Sequence, residues 1–487
     1  MKRAPRRSRI ALSARVLPAV LLVSAAGCGG PPAPAAVLEG PPGITLPAGS
    51  RYFSDHGVSR PLLMRNIAGS SVAQMATFFD SASQAGTRIV RIQLTQGIGF
   101  NGLGMHSDGS LDEAWAARWD QVFDAAAVHG LAVIPIFAIW GDWNDGTPDL
   151  GWVNWTNNPL NPALGGPATG PGDLFVDGGP IQQLWLAWMQ TLVTRWQSRA
   201  AIAAWEIFSE MDIASGSDEA SATAFAEHAA DAIRAADSYT RPVLASTSDL
   251  VEWTTLWTSR ANDAVEIHPY ESDLPDLILS RVADRLARTP KPVLIAESGL
   301  SAASPDGTTD SSSPNAPATL TRAIWAGLVS GSATARAFWW EDGYAVFFPA
   351  TGQALVDHDA NLEKPAAAFL GTTDFSAAAP VSAAFSANVT GGVLAQPGVV
   401  MGWVHDVNCA TVFSDCTANL TGESVSFMVP NAAAAPASTW NVTLINPATG
   451  ISLAPTANVV TASDGVVILN LPVFAQAIAF RLTLSGT

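Results

Sequence analysis

The sequence predicts an α/β fold: a (β/α)8 TIM barrel followed by a C-terminal antiparallel β-sandwich. Between about residues 60 and 345, eight apolar strand-like runs alternate with amphipathic helical patterns. That is how parallel strands buried on both faces and covered by helices read in a sequence. Near residue 370 the pattern changes to short β runs separated by Gly, Pro and Asn turns, as antiparallel sandwiches require. A chain of 487 residues also exceeds one ordinary domain.

The first 27 residues read as an export signal. "MKRAPRRSR" is basic, and "VLPAVLLVSAAG" is apolar but too short to span a bilayer. "SAAGC" resembles a bacterial lipobox, with Ala25 where Leu is usual, so Cys28 is the expected lipidation site and membrane anchor. The alternative is an ordinary cleaved signal and a secreted protein. The Arg6-Arg7 pair fits either a twin-arginine signal or plain n-region charge. Residues 28–50, rich in Pro, Gly and Ala, are expected to be a flexible tether.

The barrel is assigned to residues 51–370. Its strands are "PLLMRNIA" (61–68), "RIVRIQL" (88–94), "LAVIPIFAI" (131–139), "IAAWEIF" (202–208), "RPVLAST" (241–247), "AVEIHPY" (264–270), "PVLIAES" (292–298) and "ARAFWW" (335–340). Helix 181–196 puts Ile181, Leu184, Trp185, Trp188, Leu192 and Trp196 on one stripe, which packs on the barrel. The segment 140–179 between the third and fourth strands is long and rich in Trp, Asn, Gly and Pro, and such loops are usually functional. Residues 371–487 form the sandwich, expected to brace the barrel. Cys409 and Cys416 in "NCATVFSDC" are expected to form a small-loop disulfide, since no His or third Cys accompanies them.

Composition narrows the function. A net charge of −17 argues against nucleic acid, which calls for clustered Lys and Arg. It suits a neutral partner. Lysine is confined to Lys2, Lys291 and Lys364, and Lys291 precedes its strand, at the wrong end of a barrel for Schiff-base chemistry. The histidines are scattered with no HxH pair, so neither a metal nor a cofactor is expected. The chain is expected to be a monomer.

Reacting groups of such barrels lie at the C-terminal strand ends. There the second strand carries Arg91, the fourth Ser209-Glu210, the sixth His268 and Tyr270, the seventh Glu297, and the eighth Trp339-Trp340. Period-two alternation would put Glu206, Phe208 and Glu210 on one face. Glu206 and Glu266 are expected to face the interior and pair with Arg91. Among the loop indoles Trp140, Trp143, Trp152 and Trp155, at least one is expected to stack on a sugar, with Trp143 the candidate.

Two carboxylates at an enclosed site suit glycoside hydrolysis, one protonated for the leaving oxygen and one ionised for the oxocarbenium-like carbon. "WEIFSE", "EIHPY", "PVLIAESG", "RIVRIQL" and "FWWED" together resemble glycoside hydrolase clan A, closest to family 5-like cellulases and mannanases. The resemblance covers roughly residues 60–370. It implies a retaining hydrolase of β-linked poly- or oligosaccharide, β-mannan or β-glucan foremost. Glu210 would be the acid/base and Glu297 the nucleophile; Tyr270 would lie near Glu297, and Arg91, His268 and the eighth-strand Trp would line the sugar site. Ser209 stands where the family has an Asn that contacts the sugar 2-hydroxyl. The alternative is a carbohydrate-binding lipoprotein, weak or inactive as a catalyst, on the same barrel.

Overall fold

The computed structural model describes residues 39–97, 102–146, 154–302, 313–340, 342, 362–430, 438–454, 459–460 and 465–485. All of these belong to one compact unit. Cys28 and Trp152 lie outside the described residues.

A small antiparallel sheet opens the chain: β1 (Ile44–Thr45), β2 (Ser54–Asp55) and β3 (Val58–Ser59). The barrel strands are β4 (Leu62–Gly69), β5 (Ile89–Gly97), β6 (Ala132–Ile136), β7 (Trp205–Glu206), β8 (Val243–Leu244), β9 (Val265–Ile267), β10 (Val293–Ile295) and β11 (Thr334–Arg336). Each falls within or beside one of the eight apolar runs. Parallel pairing runs β11-β4-β5-β6-β7-β8, and β9 pairs with β10. Hydrogen bonds outside the ladders close the two seams: Asp263 N–H donates to Val243 (2.9 Å) at one, and Ala333 N–H to Val293 (2.8 Å) and Trp339 N–H to Ser298 (2.9 Å) at the other.

Helices α1 (Val72–Ala85), α2 (Glu113–Val128), α3 (Pro180–Trp196), α4 (Glu219–Ala236), α5 (Thr254–Thr258), α6 (Leu274–Arg288), α7 (Ala316–Val329) and α8 (Lys364–Leu370) surround the strands. Local sequence explains their ends. Ser71 and Gln74 form a capping box at the start of α1, and Gly86 ends it in the left-handed region at φ 101°. A Cβ on Gly86 would also meet Ala367 of α8 at 2.2 Å, so close approach demands glycine twice over. In α3 the buried stripe is Ile181, Trp185, Trp188, Leu192 and Trp196, while Leu184 is only half-buried.

The proposed tether is shorter than residues 28–50. Ile44 is buried in β1, and with Tyr52 and Phe53 it packs against Leu62, Ile89, Ala132, Ala203 and Leu244. Most of these lie at the N-terminal ends of barrel strands, so this segment plugs the bottom of the barrel. The Pro and Gly residues that suggested a linker make its turns.

The C-terminal strands are β12 (Ala379–Pro380), β13 (Ala383–Phe385), β14 (Val389–Gln396), β15 (Val399–Asp406), β16 (Ser424–Met428), β17 (Thr439–Ile445), β18 (Ser452–Leu453), β19 (Val459–Val460), β20 (Val466–Asn470) and β21 (Ala477–Leu484). One sheet runs β12-β14-β15-β21-β17-β18 with β19 added on β17; the other runs β13-β16-β20. The larger sheet is buried on both faces, as strand alternation shows. Val400, Val404, Ile478 and Phe480 face the sandwich core, whereas Met401, Trp403, Ala477 and Ala479 join the barrel core with Leu320 and Trp325 of α7. Barrel and sandwich therefore share a continuous apolar layer where they meet, beside the sandwich's own core.

Candidate active site at the C-terminal strand ends

The fourth barrel strand does not continue as a simple alternation. After Glu206 the chain bends at Ile207. Phe208 then packs outward on Phe175, which in turn packs on Phe225 of α4. Ser209 N–H donates to Ala138 (2.9 Å) and Met211 N–H to Ser246 (3.1 Å), so the neighbouring strand ends hold the backbone. Between them Glu210 is left-handed, at φ 64° and ψ 55°. A non-glycine residue there carries about 1–3 kcal/mol of strain. The expected common face of Glu206, Phe208 and Glu210 is thus broken: Glu206 enters the barrel, Phe208 leaves it, and Glu210 lines a cleft.

Arg91 is the hub beneath that cleft, fully buried on β5. Its Nε and Nη2 donate to both oxygens of Glu206 at 2.6 Å each. Nη2 also donates to Ser209 Oγ (2.7 Å), and Nη1 to Asn66 Oδ1 (3.2 Å) and Glu297 Oε2 (3.0 Å). This uses the guanidinium's full capacity of five donors. Asn66 is fixed in turn, because its Nδ2 donates to the carbonyls of Ala296 (2.9 Å) and Ala337 (2.8 Å). Glu266 shares the interior, but neither of its oxygens has a hydrogen-bond partner among the described residues. Burial and the nearby Glu206 charge push it up to about 8, against the pull of Arg91.

Above the hub sit two carboxylates. Glu297 Oε1 accepts from Tyr270 Oη and Oε2 from Arg91, so each oxygen of its charge is compensated. A Cβ on Gly299 would meet the Tyr270 ring at 2.8 Å, so glycine makes room for the tyrosine. Glu210 Oε1 lies 2.8 Å from His268 Nδ1. Burial opposes protonation of His268, but the bond to Glu210 and the charges of Glu297 and Glu210 outweigh it and raise its pKa to about 9. At neutral pH it is an imidazolium donating to Glu210, whose other oxygen has no donor among the described residues. Oxygens of Glu210 and Glu297 and the nearest His268 nitrogen all lie within 4.8 Å of one another.

The cleft over these groups measures about 380 Å3. Gln93, Gln96, Trp140, Trp339 and Trp340 line it alongside Ser209, Glu210, His268, Tyr270 and Glu297. Beneath Gln96 lies Asp142, which accepts from Gln96 Nε2 (2.8 Å), Thr95 Oγ1 (2.7 Å) and Ile139 N–H (2.9 Å). Complete burial overrides those donors and pushes the carboxyl up to about 7.

No protein-family model matches the sequence, and no curated protein matches it. Similarity appears in three dimensions. A glycoside hydrolase superposes with a TM-score of 0.63 at 10% identity, over 92% of this chain and 98% of that one. A family 5 glycoside hydrolase from Bacteroides vulgatus ATCC 8482 gives 0.61 at 10% identity, over 91% and 94%. A GH30 endoxylanase from Clostridium papyrosolvens C71 gives 0.51 at 14% identity, over 91% and 100%. The chain has the fold of clan A glycoside hydrolases. Coverage above 90% of both chains in each pair takes in the C-terminal β-domain as well as the barrel.

Within that fold, Arg91, Ser209, Glu210, His268, Tyr270, Glu297, Trp339 and Trp340 meet at one place. Trp143 does not join them. It is fully buried and packs edge-on against Trp185 of α3 (5.3 Å between ring centroids) and against Trp155 (5.9 Å). Among the described residues, the loop indole that reaches the cleft is Trp140, which directly follows the third strand run. Asn66, Gln93 and Gln96 also escaped sequence reasoning. Asp212 and Asp342 are anchors, Asp212 accepting from Ser248 N–H (2.7 Å) and Asp342 from Arg336 Nη1 (2.6 Å).

Glu210, His268 and Glu297 are also the one set among the described residues with donor atoms close enough for a metal ion. The fit is poor. Three of the four carboxylate oxygens already accept from Arg91, Tyr270 and His268, and a guanidinium 3.0 Å from Glu297 would repel a cation.

Proposed function

We propose that the protein is a retaining glycoside hydrolase acting on a β-linked poly- or oligosaccharide, β-mannan or β-glucan foremost. The observation that carries this is the pair Glu210 and Glu297, each with an oxygen within 4.8 Å of the other's, facing one cleft lined by indoles. Such a pair suits acid/base and nucleophile roles, and retention is the outcome expected when the carboxyl groups stand about 5–5.5 Å apart.

In the first step a Glu297 oxygen bonds to the anomeric carbon while the glycosidic C–O bond breaks, and Glu210 gives its proton to the departing oxygen. In the second, Glu210 takes a proton from water, whose oxygen bonds to the anomeric carbon as the Glu297 ester is released. Tyr270 and Arg91 hold the nucleophile, and His268 orients the acid/base. Ser209 Oγ is engaged by Arg91 below the cleft, a role different from an amide reaching a sugar hydroxyl. Incubating the mature protein with a polysaccharide panel, with anomeric configuration followed by NMR, tests the assignment. Retained products support it. Inverted products overturn the mechanism, and binding without turnover favours the carbohydrate-binding alternative.

We also propose that the protein is exported and anchored through lipid on Cys28. Basic and apolar residues ahead of "SAAGC" support this. No helix among the described residues is long and apolar enough to cross a membrane. Replacing Cys28 by Ala should move the protein from the membrane fraction to the soluble one.

A further inference from the structure

The loop between β15 and β16, closed by the Cys409–Cys416 disulfide, leaves the sandwich and lies against the barrel beside the cleft. Val412 at its centre is fully buried, in the same apolar cluster as Leu274, Leu300 and Ala316. Three of the loop's polar contacts reach the barrel. Val412 N–H donates to the carbonyl of Ser272 (2.7 Å), Ser313 Oγ donates to the carbonyl of Val412 (3.1 Å), and Asn315 Nδ2 donates to that of Ser414 (2.9 Å). Its own base is fixed as well: Asp406 accepts from Asn408 N–H (2.9 Å) and Thr417 N–H (2.6 Å). His405 Nε2 lies 3.1 Å from Asp276 at the start of α6.

Ser272 is two residues beyond Tyr270. In the same turn Glu271 N–H donates to Gly299 (3.2 Å), and Tyr270 and Gly299 form a parallel bridge. The disulfide loop therefore grips from outside the short segment that carries the hydroxyl donating to Glu297. We propose that the Cys409–Cys416 loop is a positioning device for Tyr270: it fixes the turn after the sixth barrel strand and so aligns that hydroxyl on Glu297. A displacement of about 1 Å in such a group lowers a rate by up to about a hundredfold, and closing a short loop removes the freedom that would allow it. This inference rests on Glu297 being the nucleophile, so one arm of its test is independent of activity.

Two variants release the grip differently: the double replacement Cys409→Ser/Cys416→Ser, and Val412→Gly, which keeps the disulfide. Each is made in the full chain in both the wild-type and the Tyr270→Phe background. Activity is read on an aryl β-glycoside, and hydrogen exchange on the folded protein. The expected result is a fall of about tenfold in kcat with KM held within about twofold. Exchange should rise in peptides spanning residues 268–274 but not in β4 to β6. In the Tyr270→Phe background the same changes should lower kcat by less than about twofold, because the hydroxyl to be positioned is gone. Equal falls in both backgrounds, or unchanged exchange at 268–274 in both variants, would overturn the proposal. Should the wild type turn over no glycoside, the hydrolase assignment fails, and the exchange result alone decides whether the loop holds the turn.

Discussion

Each residue beneath the cleft is held by its neighbours, so single substitutions should separate chemistry from support. Glu297→Ala removes the nucleophile, and turnover of any glycoside should vanish in a coupled assay while the fold survives. Glu210→Ala should spare the first step on substrates with good leaving groups and stall deglycosylation; added azide should restore product as a glycosyl azide. His268 makes a prediction about pH. Its pKa rises from 6.5 to about 9 in the fold, so the folded state binds its proton more tightly than the unfolded chain does. That contribution is fully present below about pH 6.5 and is lost as pH rises through about 9, amounting to about 3 kcal/mol. Urea titrations should show wild-type stability falling across that window and a flatter profile for His268→Gln. The indoles divide likewise. Trp143→Ala should destabilise by about 3–5 kcal/mol, since it empties a fully buried site. Trp140→Ala should mainly raise KM with little change in midpoint. A Trp143 variant with native stability and weakened glycan binding would reverse these roles.

Elements were legible where their signal was local. Buried parallel strands need apolar runs, and all eight runs hold a barrel strand; the strand-end rule then led to Glu210, Glu297, His268 and Tyr270, and the family resemblance to Arg91 in mid-strand. What escaped depends on partners distant in sequence. The bend at Ile207 and the left-handed Glu210 are imposed by Ala138 and Ser246 on adjoining strands, which no period-two pattern can anticipate. Trp140 and Trp143 are three residues apart in one loop, and it is packing on Trp185 of α3 and on Trp155 that takes Trp143 inward. The plug formed by β1 to β3 was hidden for another reason: turn residues that look like a linker also make tight turns. This yields a prediction for the element. A chain starting at residue 39 should melt with the mature protein. One starting at residue 60 exposes Leu62, Ile89 and Ala132, and it should melt markedly lower or aggregate. Differential scanning fluorimetry of the two truncations is sufficient, and equal midpoints would show that the plug contributes nothing.

Over the whole molecule, the larger C-terminal sheet behaves as a further layer of the barrel. Its outward face supplies Met401, Trp403, Ile445 and Ala479 to the core that contains Leu320, Ala323 and Trp325 of α7. Polar contacts seal the same junction: Trp325 Nε1 donates to the carbonyl of Pro447 (3.2 Å), and Arg481 Nη1 to that of Phe369 (2.9 Å). Independent folding would leave an apolar face in water on each side, α6 and α7 on the barrel and Met401, Trp403 and Ala479 on the sandwich, and burial of such surface is the main stabilising term in folding. Barrel and sandwich should therefore unfold together. Scanning calorimetry of the mature protein is expected to give one transition whose calorimetric and van't Hoff enthalpies agree. A chain ending at residue 371 should be recovered aggregated rather than as an active barrel. Replacing Trp403 by Ala should lower the single midpoint without splitting it, because the indole belongs to the apolar layer that joins both parts. Two resolved transitions in the intact protein, or a soluble active barrel from the truncated chain, would show instead that the sandwich is a separable domain.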